Sequence, residues 1–205
     1  MEYEVRYYFN SNYLDEILNK LKSFKELKNK ERTYEKTSQY DHSDINRSFY
    51  DKKIDGRFRV RISKNSHETI SKLSWKRRLN DTISGSINKE EEKEVYFDNY
   101  DNFIYIVENV MHFKLVESYE RYRNVFENDD VEIALDEYPF GLALEIESKG
   151  DNPDEIIKKW VLNLGLKLND AYRLSWDDKY KELCEKQNIE QYNIVTFDKK
   201  MPEVE

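Results

Sequence analysis

The chain has 205 residues, enough for one domain, or for one domain with a helical appendage, and enough to bury a real core. Lys plus Arg is 34 and Asp plus Glu is 42, a formal net charge of −8, which argues against general duplex binding because that needs a basic footprint. Charged residues reach 37%, but 16 Tyr, 10 Phe and 3 Trp exclude a disordered chain, and 5 Gly with 3 Pro exclude a low-complexity linker.

The alternation of Met1 to about Phe9 predicts a strand. Leu14, Ile17, Leu18, Leu21, Phe24 and Leu27 fall at three- and four-residue spacing, which predicts an amphipathic helix over about 11–30, capped by Asn12. Alternating segments follow at about 32–41, 46–51, 56–64, 69–79, 88–97, 114–127, 130–137 and 142–148. A helix is expected at about 100–112. Another is expected from Pro153, a favoured first helical residue after Asn152, to about Leu164, ending at Gly165. A last helix covers about Trp176 to Lys186, and 187–205 reads as a weakly specified tail. Trp160 and Trp176 are expected to pack helices on the strands. Many strands and few helices indicate an antiparallel barrel or a strongly curved sheet rather than βαβ units.

The first nine residues, MEYEVRYYF, contain no basic n-region and no apolar h-region. No apolar run approaches the roughly 20 residues of a membrane span. A cytoplasmic protein without membrane contact is therefore expected. The single cysteine, Cys184, cannot form an intramolecular disulfide. His42, His67 and His112 are scattered without metal-ligand spacing, and no Gly-rich phosphate loop is present.

The informative feature is the sign of the charge on each strand face. Glu2, Glu4 and Arg6 share a face opposite Tyr3, Val5 and Tyr7. Arg57, Arg59 and Arg61 oppose Phe58, Val60 and Ile62. Lys72, Lys76 and Arg78 share a third face, and Arg121 with Arg123 a fourth. Glu132 with Asp136, and Glu145 with Glu147, oppose Val, Ile and Leu. Alternation is ordinary in a half-buried antiparallel sheet. Sorting by sign is not, because like charges two residues apart on one face repel. A polyanion would neutralise the basic rows and a divalent cation the acidic rows, and metal-assisted phosphoryl transfer requires both. With the charged faces inward, a barrel of about eight strands has room for a small ligand. The amphipathic helices would then cover its apolar exterior.

These residues, in this order, resemble the CYTH superfamily of triphosphate tunnel metalloenzymes. Its E-x-E-x-K signature corresponds to Glu2-Tyr3-Glu4-Val5-Arg6, and its R-x-R strand to Arg57-Phe58-Arg59-Val60-Arg61. Lys76 follows, then a Glu-bearing strand with Glu92 and Glu94 as candidates, then Arg121-Tyr122-Arg123. The last segments are Val131 to Asp136 and Gly141 to Glu147. The resemblance covers about residues 1–180.

The resemblance implies a mainly β, α+β fold: an eight-stranded antiparallel tunnel with a polar interior, covered outside by helices. One domain would span 1–186, followed by the tail 187–205. It implies a metal-dependent hydrolase of inorganic triphosphate, a nucleoside triphosphate or thiamine triphosphate. The alternatives are an adenylyl cyclase, a capping-type RNA triphosphatase and a module that binds triphosphate without turnover. Arg6, Arg57, Arg59, Arg61, Lys72, Lys76, Arg121 and Arg123 would hold phosphates. Glu2, Glu4, Glu132, Asp136, Glu145 and Glu147 would serve Mg²⁺ or Mn²⁺, hard cations that prefer oxygen ligands. Glu4, Arg6 and Lys76 would be catalytic, and the family often forms dimers. One departure stands out. The signature Lys is Arg6 here, and arginine keeps its proton at ordinary pH.

Overall fold

A computed structural model describes residues 2–50, 56–79 and 87–205. Eight long strands form the barrel: β1 (Glu2–Phe9), β3 (Thr33–His42), β4 (Gly56–Lys64), β5 (Thr69–Leu79), β6 (Asn88–Phe97), β7 (Phe113–Glu127), β8 (Val131–Tyr138) and β9 (Gly141–Ser148). Their order is β7-β3-β4-β5-β6-β1-β9-β8, every neighbour antiparallel, and β8 pairs back onto β7 to close the ring. The expected eight-stranded tunnel is thus the fold. Closure removes the free edges that an open sheet would expose.

The short strands β2 (Lys28–Asn29) and β10 (Ile194–Val195) attach to β7, the longest strand. The described residues also form four α-helices: α1 (Leu14–Ser23), α2 (Tyr100–Tyr105), α3 (Pro153–Asn163) and α4 (Trp176–Gln187). Among the described residues no helix is long and apolar enough to cross a membrane.

The hydrophobic core lies outside the barrel wall, because the strands turn their apolar faces outward. Val5, Tyr7, Val131, Ile133, Leu135, Leu142, Leu144 and Ile146 pack under Leu21 of α1 and Ile157, Trp160 and Val161 of α3. Phe24 meets the Trp160 ring edge-on at 5.3 Å. On the opposite wall, Tyr40 and Val60 pack with Val107 and with Phe97, Phe103 and Phe113. Gly56, which opens the arginine strand, has the Trp75 ring 2.3 Å from where a Cβ would stand, so a side chain there would displace the strand.

Four expectations need correction. The first helix stops at Ser23, not near Lys30. Phe24 is already extended (ψ 101°), and Lys28 and Asn29 pair with Glu127 and Phe126, because the overhang of β7 offers backbone partners that a longer helix would forgo. The expected strand at 46–51 is not formed over its described residues. Ile45–Arg47 is a single 3₁₀ turn, and Asp41 accepts hydrogen bonds from Ser48 Oγ and Phe49 N; residue 51 lies outside the described residues. The helix at 100–112 is α only to Tyr105 and continues as a π turn to Val110. The stretch 187–205 is not loosely specified. Val195, Met201 and Val204 are buried against α4, with Tyr138 and Phe140 in the same cluster.

Candidate functional site

Strand alternation and the closed register bring the charged rows together inside the barrel. Arg6 lies opposite Glu145, Glu4 opposite Glu147, and Glu147 opposite Glu132, which builds an acidic wall from β1, β9 and β8. Arg57 lies opposite Lys76 and Arg61 opposite Lys72, which builds a basic wall from β4 and β5. Every expected site residue except Asp136 lines one cavity of about 370 Å³. Asp136 is fully buried behind that surface, between Arg121 and Arg123.

The basic residues differ in how firmly they are held. Arg121 donates from Nε to Glu35 Oε2 (2.8 Å) and from Nη1 to Asp136 Oδ2 (2.8 Å). Arg123 donates from Nε to Asp136 Oδ1 (2.8 Å) and from Nη2 to Glu145 Oε2 (2.6 Å). Arg6 donates to Glu145 at 2.7 Å and to Glu4 at 3.2 Å. Lys76 Nζ sits 2.9 Å from Glu2 and 2.7 Å from Glu90. These cations knit the walls together. Arg59 and Arg61 have softer partners. Arg59 Nε donates to the Gln39 amide oxygen at 3.4 Å and Arg61 Nε to Thr37 Oγ1 at 2.9 Å, with Glu35 3.5 Å from Arg61. Arginines held by neutral oxygens can exchange them for phosphate oxygens at little cost.

The acidic wall carries surplus negative charge. Burial pushes the Glu147 carboxyl up to about 8, and Glu2, Glu4 and Glu132 add to the effect while Lys76 opposes it. Burial likewise raises Glu2 to about 7, against the pull of Lys76. Glu92 goes the other way: despite its burial, Lys76 and then Glu2 hold it down to about 2. Lys76 is raised by Glu4, Glu92 and Glu2, although burial opposes this.

Among the described residues no three carboxylates already stand as a formed metal site. Lys76 and Arg6 occupy several of the oxygens. The donor set nonetheless suits a hard cation. Glu147 is a mostly buried carboxylate repelled by three others, and a cation would relieve that repulsion.

Several lining residues were not legible as site residues. Glu92 and Glu94 both face inward as hoped, but Glu90 does too and is 2% exposed. The run Lys89 to Glu94 hides its phase, because charge occupies both faces. Glu35, which anchors Arg121, is flanked on its face of β3 by Thr33 and Thr37 and gave no sign-sorting signal. Tyr119, Tyr138, Ser175 and Trp176 complete the end of the cavity beside α4. Trp176 therefore packs against inward-facing residues rather than the exterior, with its ring centroid 4.4 Å from that of Tyr119.

No protein-family model and no curated protein matches the chain. Solved structures do. The PH1819 protein from Pyrococcus horikoshii OT3 has a TM-score of 0.69 at 24% identity, over 89% of this chain and 99% of that one. A candidate adenylate cyclase from Vibrio parahaemolyticus has a TM-score of 0.63 at 17% identity, over 86% and 95% of the two chains. HpAC1 from Hippeastrum, a candidate adenylyl cyclase described as having a dominant triphosphatase activity, has a TM-score of 0.57 at 15% identity, over 93% and 98%. With its closed eight-stranded antiparallel barrel, the chain shares the fold of these three proteins, the barrel that the sequence resemblance implied.

Proposed function

We propose that the protein is a metal-dependent phosphohydrolase that takes a triphosphate into its barrel. The observation that carries this reading is the segregation of sign within one cavity. Arginines and lysines line β4 and β5, and carboxylates line β1, β9 and β8. The substrate would be inorganic triphosphate, a nucleoside triphosphate or thiamine triphosphate.

Arg57, Arg59, Arg61, Lys72 and Lys76 bind phosphate oxygens from the basic wall, and Arg123 and Arg6 reach them from the other side. Arg121, Asp136 and Glu145 hold those side chains in place. Glu2, Glu4, Glu147 and Glu132 would hold Mg²⁺ or Mn²⁺. When bound, such a cation polarises a phosphate oxygen and offsets charge on the substrate. The arginine rows stabilise the charge that spreads over the phosphoryl oxygens in the transition state. Arg6 stands where the family has Lys. Paired with Glu145 and Glu4, it stabilises charge and moves no proton. Lys76, raised by its carboxylate neighbours, also stays protonated.

The likeness to the Vibrio protein supports a second reading, an adenylyl cyclase that releases pyrophosphate from ATP. A third reading, triphosphate capture without turnover, draws on Arg6. One assay separates the three. Orthophosphate and pyrophosphate release from inorganic triphosphate and ATP are measured with Mg²⁺, with Mn²⁺ and with chelator. Metal-dependent orthophosphate release that disappears in Glu4→Ala is the expected result. Pyrophosphate from ATP would move the reading to the cyclase. Neither product, with tight triphosphate binding, would move it to capture.

A further inference from the structure

The α4 end of the cavity differs from the rest of the tunnel in offering neutral donors. Trp176 lines the cavity and is 4% exposed, yet its Nε1–H has no hydrogen-bond partner among the described residues. A buried N–H left unmade is costly, and such a group in a native fold calls for an explanation. Tyr119, 3% exposed, lies beside it, its ring tilted 46° to the indole at 4.4 Å between centroids. The Tyr119 hydroxyl oxygen accepts from Arg61 Nη2 at 3.4 Å. With Arg61 donating to its oxygen, the phenol proton is free to turn toward the cavity that Tyr119 lines.

We propose that Tyr119 Oη–H and Trp176 Nε1–H form a subsite for the free terminal phosphate of a linear oligophosphate. This rests on the reading of the cavity as a triphosphate site. The substrate then lies with its free end under α4 and its remainder toward Lys72, Glu94 and the 65% exposed Tyr96. A terminal phosphate has more unesterified oxygens than an internal one, and these are the acceptors that two neighbouring donors beside Arg59 and Arg61 would select. An esterified phosphate lacks one of them and brings bulk against Trp176.

The charge around Tyr119 adds a second signature. Arg59 and Arg61 approach from β4, Arg121 and Glu117 from its own strand, Glu35 from β3 and Tyr138 from β8. Asp177 and Asp178 of α4 lie near Glu117. Although burial raises the Tyr119 phenol, Arg121, Arg61 and Arg59 bring it down to about 8. A bound phosphate neutralises those arginines, so the phenol regains its proton when the ligand enters.

The test is calorimetric binding of inorganic triphosphate to the full chain in chelator, at pH 7 and pH 9, for wild type, Tyr119→Phe and Trp176→Phe. Absorbance of phenolate near 295 nm is followed at pH 9. Wild type is expected to bind inorganic triphosphate. Tyr119→Phe is expected to bind it about 10-fold more weakly at pH 7, the usual effect of losing a hydrogen bond to a charged group. Phenolate absorbance should fall on binding in wild type and stay level in Tyr119→Phe. A triphosphate esterified at both ends should bind wild type and Tyr119→Phe equally.

Thermal unfolding checks that each variant folds, and Tyr119→Phe, which keeps the ring, carries the test if Trp176→Phe does not fold. Equal binding of inorganic triphosphate by wild type and a folded Tyr119→Phe overturns the subsite alone. So does equal weakening for the doubly esterified ligand. No binding by wild type, either in chelator or with Mg²⁺ added, overturns both the subsite and the triphosphate reading beneath it.

Discussion

Replacing Glu147 by Gln should stabilise the ligand-free protein at alkaline pH and leave it unchanged in mild acid. Glu147 is pushed from the ordinary 4.5 to about 8 by burial and by Glu2, Glu4 and Glu132. Its folded-state value lies above its unfolded value, so the fold favours the protonated carboxyl. The associated stability is complete below about 4.5 and is lost as pH rises through 8. A shift of that size corresponds to a ceiling of about 5 kcal/mol. Water in the cavity and relaxation of the neighbouring side chains reduce this to roughly 1–2 kcal/mol. Glutamine has the shape of the protonated acid and carries no charge.

The assay is thermal unfolding by circular dichroism from pH 5 to pH 9, in chelator. Glu147→Gln should melt roughly 3–6 °C above wild type at pH 9, from the usual conversion for a chain of this length. The two curves should converge near pH 5. Added Mg²⁺ should raise the wild-type melting temperature and have a smaller effect on the variant, because a cation relieves the same repulsion. A variant no more stable than wild type at pH 9, or equally stabilised at pH 5 and pH 9, would refute the reasoning.

Two further predictions follow from the same geometry. Asp136→Asn should cost about 3 kcal/mol or more in chemical denaturation, because it leaves Arg121 and Arg123 facing an amide in a fully buried site; a loss under about 1 kcal/mol would contradict the pairing. Arg59→Ala should raise KM for triphosphate about 10-fold with a smaller change in kcat, since among the described residues Arg59 is hydrogen-bonded by the neutral Gln39 amide and is available to substrate; an unchanged KM would remove it from the binding set.

Much of the barrel was legible from period and sign. A period of two with apolar and charged faces located β1, β4, β5, β8 and β9 to within a residue or two. The ends of elements were less legible, because backbone partners far along the chain decide them. Phe24 and Leu27 keep helical spacing, but β7 draws the following residues into a strand. The segment at 46–51 alternates weakly, and Asp41 captures its backbone into a turn.

The site divides in the same way. Sign sorting within strands singled out the charged faces of Glu2, Glu4, Arg57, Arg59, Arg61 and Glu147, which line the cavity, because repulsion between like charges on one face is visible in a single segment. Which cations are already paired was not visible. Arg121 and Arg59 look alike in sequence, yet Arg121 is held by Asp136 and Glu35 and Arg59 by a neutral amide. Those partners are set by inter-strand register. Glu35 and Arg121 are 86 residues apart in the chain and meet only because β3 pairs with β7. Tyr119 and Trp176 come together only when α4 folds back over the barrel. The sequence by itself determined which residues share a strand face and hence the charged interior. Tertiary structure decided which face meets which, because register and closure are properties of pairs of distant segments.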